Sequence, residues 1–431
     1  MALTHQQKKI ISLVAGILIF IVLVAFFRKR PPKYVSLEMW GIYDEPEIWD
    51  QIIYQFNKYY PHIQINYTLK DNQSYHNDLL QAFAENKSPD IFMVLGEWLP
   101  KYQNKINPLN LKTEKQLNLK YLQDNYPEIV VNELIKNNQL RGIPLSVDTL
   151  ALYYNKNIFN YFNIALPPKT WEEIIELIPT LRQIDVNGNL NRGAIALGTS
   201  NNVNWASDIF ATLIMQNDGS IIDPNYLFFD LNKNNSGVKA LQFYTQFADF
   251  KNKNYTWNEN KINSILSFAR AKTAMVIGYE RAYNYIKQQN PQLNFGITTF
   301  PQFKNNPLNI SYASTINLIV NNRSRSDKKQ AAWLFLKFLL NPQISEKYYL
   351  LSGHPPARRD LIAKYLNDPV RGVFISQILS SRSFYQFDFE KIKDIFGEMI
   401  SLVNKKKANY WDAVDSAEQK LNFLWKQSLK Q

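Results

Sequence analysis

From Tyr34 to Leu95 the sequence switches its hydrophobic period four times, and no other feature restricts the fold as tightly. "YVSLEMW" alternates as a strand, and "EPEIWDQIIYQFNKYYP" carries an amphipathic helical pattern that Pro61 ends. "IQINYTL" is a second strand, "SYHNDLLQAFAEN" a second helix, and "DIFMVL" a short, wholly apolar third strand. Parallel strands cannot be joined by a tight turn, so each helix serves as a crossover and the segment predicts a mostly parallel sheet covered by helices. Ligands of such sheets bind at the loops beyond the strand C-termini. Here those loops begin at Trp40 and at Glu97 and Trp98.

A helix-turn-strand unit lies further on. In "LPPKTWEEIIEL", Thr170 is placed to cap a helix and Glu173, three residues later, completes a capping box. Pro167 and Pro168 keep the preceding chain out of the helix, and Ile174, Ile175, Leu177 and Ile178 form its apolar face. "DVNGNLNRG" follows as a turn and "AIALG" as a short buried strand. Asp185, Asn187 and Asn189 alternate as in a calcium loop, but no Glu follows at the bidentate position, so a turn is the better reading. Helices are expected around Trp205 to Met215 and Gly237 to Phe250, and strands at "TAMVIG", "NFGITTF" and "TINLIV". Asn341 and Pro342 start a helix that Gly353 ends.

At 431 residues, 45% hydrophobic and 14% aromatic, the chain exceeds one ordinary domain and predicts two lobes. It has no cysteine, which excludes disulfides, thiolate metal sites, a cysteine nucleophile and a lipidated N-terminal cysteine. Its 4 histidines are scattered, so neither a His-based metal centre nor any cofactor is indicated. The net charge of +12 is not a nucleic-acid signature. Lys8, Lys9, Arg28, Lys29, Arg30 and Lys33 flank an acid-free N-terminal run, and the remaining excess is spread along the chain as solvated surface. Ile10 to Phe27 is uncharged and as a helix would span about 27 Å, close to the hydrocarbon thickness of a bilayer. Residues 1–33 are therefore expected to be a membrane anchor and linker. "VAFFRKRPP" offers no small-x-small site for signal cleavage. The flanking charges alone lean towards a cytoplasmic body.

Five stretches in this order resemble the extracellular solute-binding proteins of bacterial ABC importers, in the sugar-binding group that includes maltose-binding protein. They are "SPDIFMVLGEWLPKY", "IPLSVDTLALYYNKNIF", "LPPKTWEEIIEL" with "DVNGNLNRGAIALG", "ARAKTAMVIGY", and "AAWLFLKFLLNP" running to "GHPPARRDL". The resemblance covers nearly everything from Tyr34 onward. It implies a two-lobed, periplasmic-binding-protein-like α/β fold of the Venus flytrap kind, here preceded by one transmembrane helix. Lobe 1 is expected at 34–147 plus 296–340 and lobe 2 at 148–295 plus 341–431, with hinges near Val147, Gly296 and Leu340. It further implies a monomeric, non-catalytic receptor on the extracellular side of the membrane. Its partners would be a carbohydrate-like solute and the permease of an ABC transporter with a separate ATPase.

Sugar recognition uses flat aromatic faces together with acids and amides that bond hydroxyls. The resemblance places such groups at Trp40, Asp44 and Glu45 after the first strand, at Glu97 and Trp98 after the third, and at Asp148 in the hinge motif. Asn202 and Trp205 follow "AIALG" on the second lobe, and Tyr279 and Arg281 follow "TAMVIG", where the family usually has Gly then Trp but this chain has Gly278 then "YERAY". Trp171, Glu172 and Glu173 are expected to be structural. Two other readings stay open: a tethered carbohydrate sensor or adhesin of the same fold, and a glycoside-active enzyme using Glu97 and Asp148 as its acid pair. No nucleophile elbow, phosphate-binding Gly-rich loop or His-Glu-x-x-His motif supports catalysis.

Overall fold

The early alternation forms as its period requires in the computed structural model, which describes residues 14–17, 33–115, 117–223, 228–304 and 309–428. Val35–Gly41 (β1) buries every second side chain, Val35, Leu37 and Met39. Pro46–Asn57 (α1) has proline in its first turn and buries Trp49, Ile52, Ile53 and Phe56 along one stripe. Ile63–Leu69 (β2), Tyr75–Ala84 (α2) and Ile91–Leu95 (β3) follow, and the last is buried throughout. The chain continues through Ile143–Thr149 (β4), Ala151–Asn155 (β5), Trp171–Leu181 (α3), Gln183–Ile184 (β6), Leu190–Ile195 (β7) and Ala206–Gln216 (α4). Thr273–Gly278 (β8), Phe295–Thr299 (β9) and Ala313–Val320 (β10) complete the main strands. Ser326–Leu339 (α5), Pro342–Ser352 (α6), Phe389–Asn404 (α7) and Tyr410–Ser428 (α8) form the C-terminal part.

Two five-stranded sheets result, ordered β2-β1-β3-β10-β4 and β9-β5-β8-β7-β6. In the first, β1 pairs in parallel with β2 and β3, while β10 runs antiparallel between β3 and β4. In the second, β5 is antiparallel to both β8 and β9, and β7 is parallel to β8. Only Leu150 separates β4 from β5, yet Thr149 pairs with Ala313 in one sheet and Ala151 with Gly278 and Thr299 in the other. The chain thus changes lobes within one residue. It returns between β9 and β10 and crosses again near the helix Gly372–Gln377, whose Phe374 joins the second core and Ile375 the first.

Each sheet has its own apolar core, and these divide the chain differently from the expected boundaries. Gly296 lies inside β9, paired with Tyr154 of the second sheet, so 296–299 belongs to lobe 2. Leu340, Tyr348, Tyr349, Ala357 and Ile362 pack in the first core, so the stretch after 340 stays with lobe 1 until the crossing at 374–375. Strand period is visible in sequence, but which sheet a strand joins depends on distant partners. The expected membrane segment, Ile10 to Phe27, falls outside the described residues except for 14–17, and among the described residues no helix is long and apolar enough to cross a membrane.

The capping box forms as its spacing requires: Glu173 N donates to Thr170 Oγ1 at 3.2 Å and Thr170 N donates to Glu173 Oε2 at 3.2 Å. Trp171 is fully buried, its indole N–H bonded to Gln216 Oε1 at 2.8 Å, so α3 is pinned to α4. The Asp185 carboxylate accepts from the Asn187 and Asn189 backbone N–H groups, which makes that loop an Asx turn.

Candidate functional site

Beyond the C-terminal ends of β3, β7 and β8 the lobes face each other across a cavity of about 1000 Å³. The first lobe contributes Tyr43, Asn72, Gln73, Glu97 and Trp98. The second contributes residues 200–208 together with Arg281 and Tyr285, and the region of α7 adds Gln386, Phe389, Lys393 and Asp394. Of the positions singled out from sequence, Glu97, Trp98, Asn202, Trp205 and Arg281 line this cavity, whereas Trp40, Asp44, Glu45, Asp148 and Tyr279 do not.

Trp205 is the most exposed indole of the wall. It holds the left-handed conformation, φ 56° and ψ 29°, directly before α4. A side chain other than Asn or Gly pays about 1–2 kcal/mol for that conformation, a strain common at binding sites. The indole is held edge-on to Tyr279, 5.3 Å between centroids at 88°. Gly278 leaves room for it, since a Cβ there would come within 3.1 Å of Trp205 Cζ3. The Arg281 guanidinium lies 3.9 Å from the Tyr279 ring centre and 5.6 Å from that of Trp205.

The acids divide into those that hold the wall and those that face the cavity. Asp148 accepts from the backbone N–H of Glu280 at 2.8 Å and of Arg281 at 3.3 Å, and pairs with the Arg281 side chain at 3.4 Å. Burial pushes its carboxyl up to about 6, with Arg281 opposing. It fixes the turn that carries Arg281 and lies outside the cavity lining, apart from the place expected for it. Glu97 faces the cavity and accepts from Ser314 Oγ at 3.0 Å. Burial raises its carboxyl above the usual range while Arg281 pulls the other way. Across the cleft, burial and then the charge of Glu97 push Asp208 up to about 7, although Tyr279 Oη donates to it at 2.8 Å.

The other expected positions that do not line the cavity have equally specific surroundings. Asp44 is fully buried and saturated by Trp49 Nε1 at 3.1 Å, Tyr348 Oη at 3.0 Å and His354 Nε2 at 3.4 Å. His354 also reaches Glu280 at 3.3 Å, so it bridges a carboxylate of each lobe beneath the cleft. Burial alone would lower its pKa, but Asp44 and Glu280 outweigh that and hold it near about 10. Glu45 is exposed ahead of α1, and Trp40, still within β1, carries Lys70 3.8 Å above its ring. Tyr279 is fully buried behind Trp205. Asn202 reaches the wall, but its amide is spent within the protein: it donates to the Asn258 and Lys261 carbonyls and accepts from Trp257 and Thr199.

Sequence reasoning missed Tyr43, Asp208, Phe389, Lys393 and Asp394. Tyr43 adjoins Asp44 in a loop already singled out, and Asp208 lies in the first turn of the helix that Trp205 immediately precedes, so both were within reach. Phe389 and Lys393 stand four apart on an amphipathic helix, and nothing local says that its first turn returns to the cleft.

Convergent aromatic, acidic and cationic groups between two lobes suit the binding of a polar solute. Comparison with known proteins agrees with this architecture. An uncharacterized ABC transporter extracellular-binding protein of Pyrococcus horikoshii is 23% identical over 362 residues, covering 80% of this chain and 76% of that protein. The multiple sugar-binding protein of Streptococcus mutans is 25% identical over 248 residues, 56% of this chain and 55% of its own length. Among solved structures, the cyclic alpha-maltosyl-1,6-maltose binding protein of Arthrobacter globiformis superposes with a TM-score of 0.74 at 17% identity, covering 91% of this chain and 100% of that one. Residues 43–346 match the bacterial extracellular solute-binding protein family, to which this chain therefore belongs.

Proposed function

We propose that this protein captures a carbohydrate between its lobes and delivers it to the permease of an ABC transporter, tethered outside the cell by Ile10 to Phe27. The observation that carries the ligand class is the cavity wall: a partly open indole at Trp205 faces hydrogen-bonding carboxyls at Glu97 and Asp208. Flat apolar rings match sugar C–H faces, and carboxyls accept from hydroxyls. The sugar-binding relative in Streptococcus mutans supports the same class. A glycosidase reading loses its acid pair, because Asp148 lies outside the cavity and is occupied by the Glu280 and Arg281 amides.

Thermal stabilisation of residues 34–431, which contain both cores, against a library of glycans and other small solutes tests the reading. A saccharide should raise the melting temperature and itself remain unhydrolysed. Stabilisation by another solute class with none from any saccharide would refute it. Protease added to spheroplasts should digest the body, whereas protection until lysis would remove the extracellular tether.

A further inference from the structure

At the Trp98 end of the cleft the second lobe reaches across and grips the first. Phe389, at the start of α7, stacks on Trp98 with centroids 5.6 Å apart and planes at 29°. It also meets the edge of His76 at 5.2 Å and 88°. Lys101 of the first lobe pairs with Glu390 at 2.5 Å and approaches Asp388 at 3.8 Å, and His76 Nε2 lies 3.6 Å from Glu390. The remainder of α7 belongs to the other side: Ile392, Ile395, Phe396, Met399 and Ile400 are buried in the second core. Phe389 packs against the first core instead. One helix therefore has its body in lobe 2 and its first turn on lobe 1, fixed by an aromatic stack and by charges that close on a single lysine.

These contacts join protein groups of one lobe directly to protein groups of the other. We propose that residues 388–390 form a clasp that holds the lobes together in the empty receptor and shuts the Trp98 end of the cleft. Phe389 occupies the face of Trp98 on which a sugar ring would otherwise stack. The solute is then bounded at this end and is gripped between Trp205, Glu97 and Asp208. This last consequence rests on the carbohydrate reading, whereas the clasp itself does not. A receptor held closed by its own contacts spends less of its binding energy on closure, but must break the clasp to admit solute.

The absence of cysteine from the chain makes the test direct. Lys87→Cys on the first lobe and Lys239→Cys on the second, both exposed, accept nitroxide labels in the full-length protein. Pulsed dipolar spectroscopy then reads the distance between lobes with no sugar present. The parent should give one narrow distribution. Phe389→Ala and, separately, the pair Asp388→Asn with Glu390→Gln should shift at least half of the molecules to longer distances. Phe389→Tyr, which keeps the stack, should restore the parent distribution. The charge variants alter partly exposed side chains and leave the fold intact, so the test stands even if Phe389→Ala misfolds. Identical distributions in parent and charge variants, or a parent already spread to long distances, would overturn the clasp without touching the carbohydrate reading.

Discussion

Trp98 and Trp205 occupy equivalent places in the two lobes. Each follows a strand of its own sheet, stands where a helical turn meets the cavity, and has a carboxyl close by, Glu97 for one and Asp208 for the other. Their surroundings are opposite. Trp98 is only 7% exposed, set among Tyr75, His76 and Phe389. Trp205 is partly open, supported behind by Tyr279 and held on a strained backbone. An indole beyond a strand end thus reaches the cleft by topology, but its use depends on what the other lobe lays upon it.

Removing each ring should separate these roles most sharply. Trp98→Ala should lower unfolding stability by about 3–5 kcal/mol, the cost of deleting a buried large aromatic. Trp205→Ala should lose less stability but weaken solute binding by about 2 kcal/mol or more, which exceeds ten-fold. Urea unfolding and titration calorimetry with the stabilising sugar measure the two quantities. A Trp205→Ala protein that melts below Trp98→Ala while binding normally would dissolve the contrast.

The neighbouring acid of the second wall adds a pH test. With a folded value of about 7 against the ordinary 3.8, Asp208 binds a proton in the native state that the unfolded chain has released. Stability should therefore decline as pH rises from about 4 to about 7, with the penalty fully present above that window. His354 continues the same direction at higher pH: raised from 6.5 to about 10, it contributes fully below 6.5 and loses its contribution as pH rises through 10. Asp208→Asn should lessen the slope of the lower part of the profile, to which the raised carboxyls of Asp148 and Glu97 also contribute, and leave the upper part alone. An unchanged slope between pH 4 and 7 in denaturant titrations would show that the wall of Trp205 is wetter than its geometry implies.

The smallest effect lies away from the cavity, at the start of α3. Thr170→Ala removes the side-chain acceptor of the capping box and should cost about 1 kcal/mol of stability. Solute affinity should be unchanged in calorimetry, since neither Thr170 nor Trp171 belongs to the wall. A loss of affinity comparable to that of Trp205→Ala would mean that α3 transmits strain to the cleft through Gln216 and α4.

How much could be read in advance follows from the range of each interaction. The strands β1 to β3, the caps at Thr170 and Asn341 and the left-handed Gly353 are local, set by period and by groups within a few residues, and were legible for that reason. Half the candidate site was legible for a related reason: loops beyond strand ends must gather where the sheets face each other, so Glu97, Trp98, Trp205 and Arg281 reach the cavity. Tertiary structure alone decided which acids stayed available. Asp44 and Asp148 look as suited to a sugar as Glu97 does, yet one is consumed by Tyr348 and His354 from 304 and more residues away and the other by amides about 130 residues away. It also decided that Phe389, nearly 300 residues after Trp98, covers that indole, and that the lobe boundary falls at 374–375 rather than at 340. A carboxylate or an aromatic face carries no mark of its partner in its own neighbourhood. The partner is chosen when two sheets, built from interleaved segments, bring distant residues within a few ångströms.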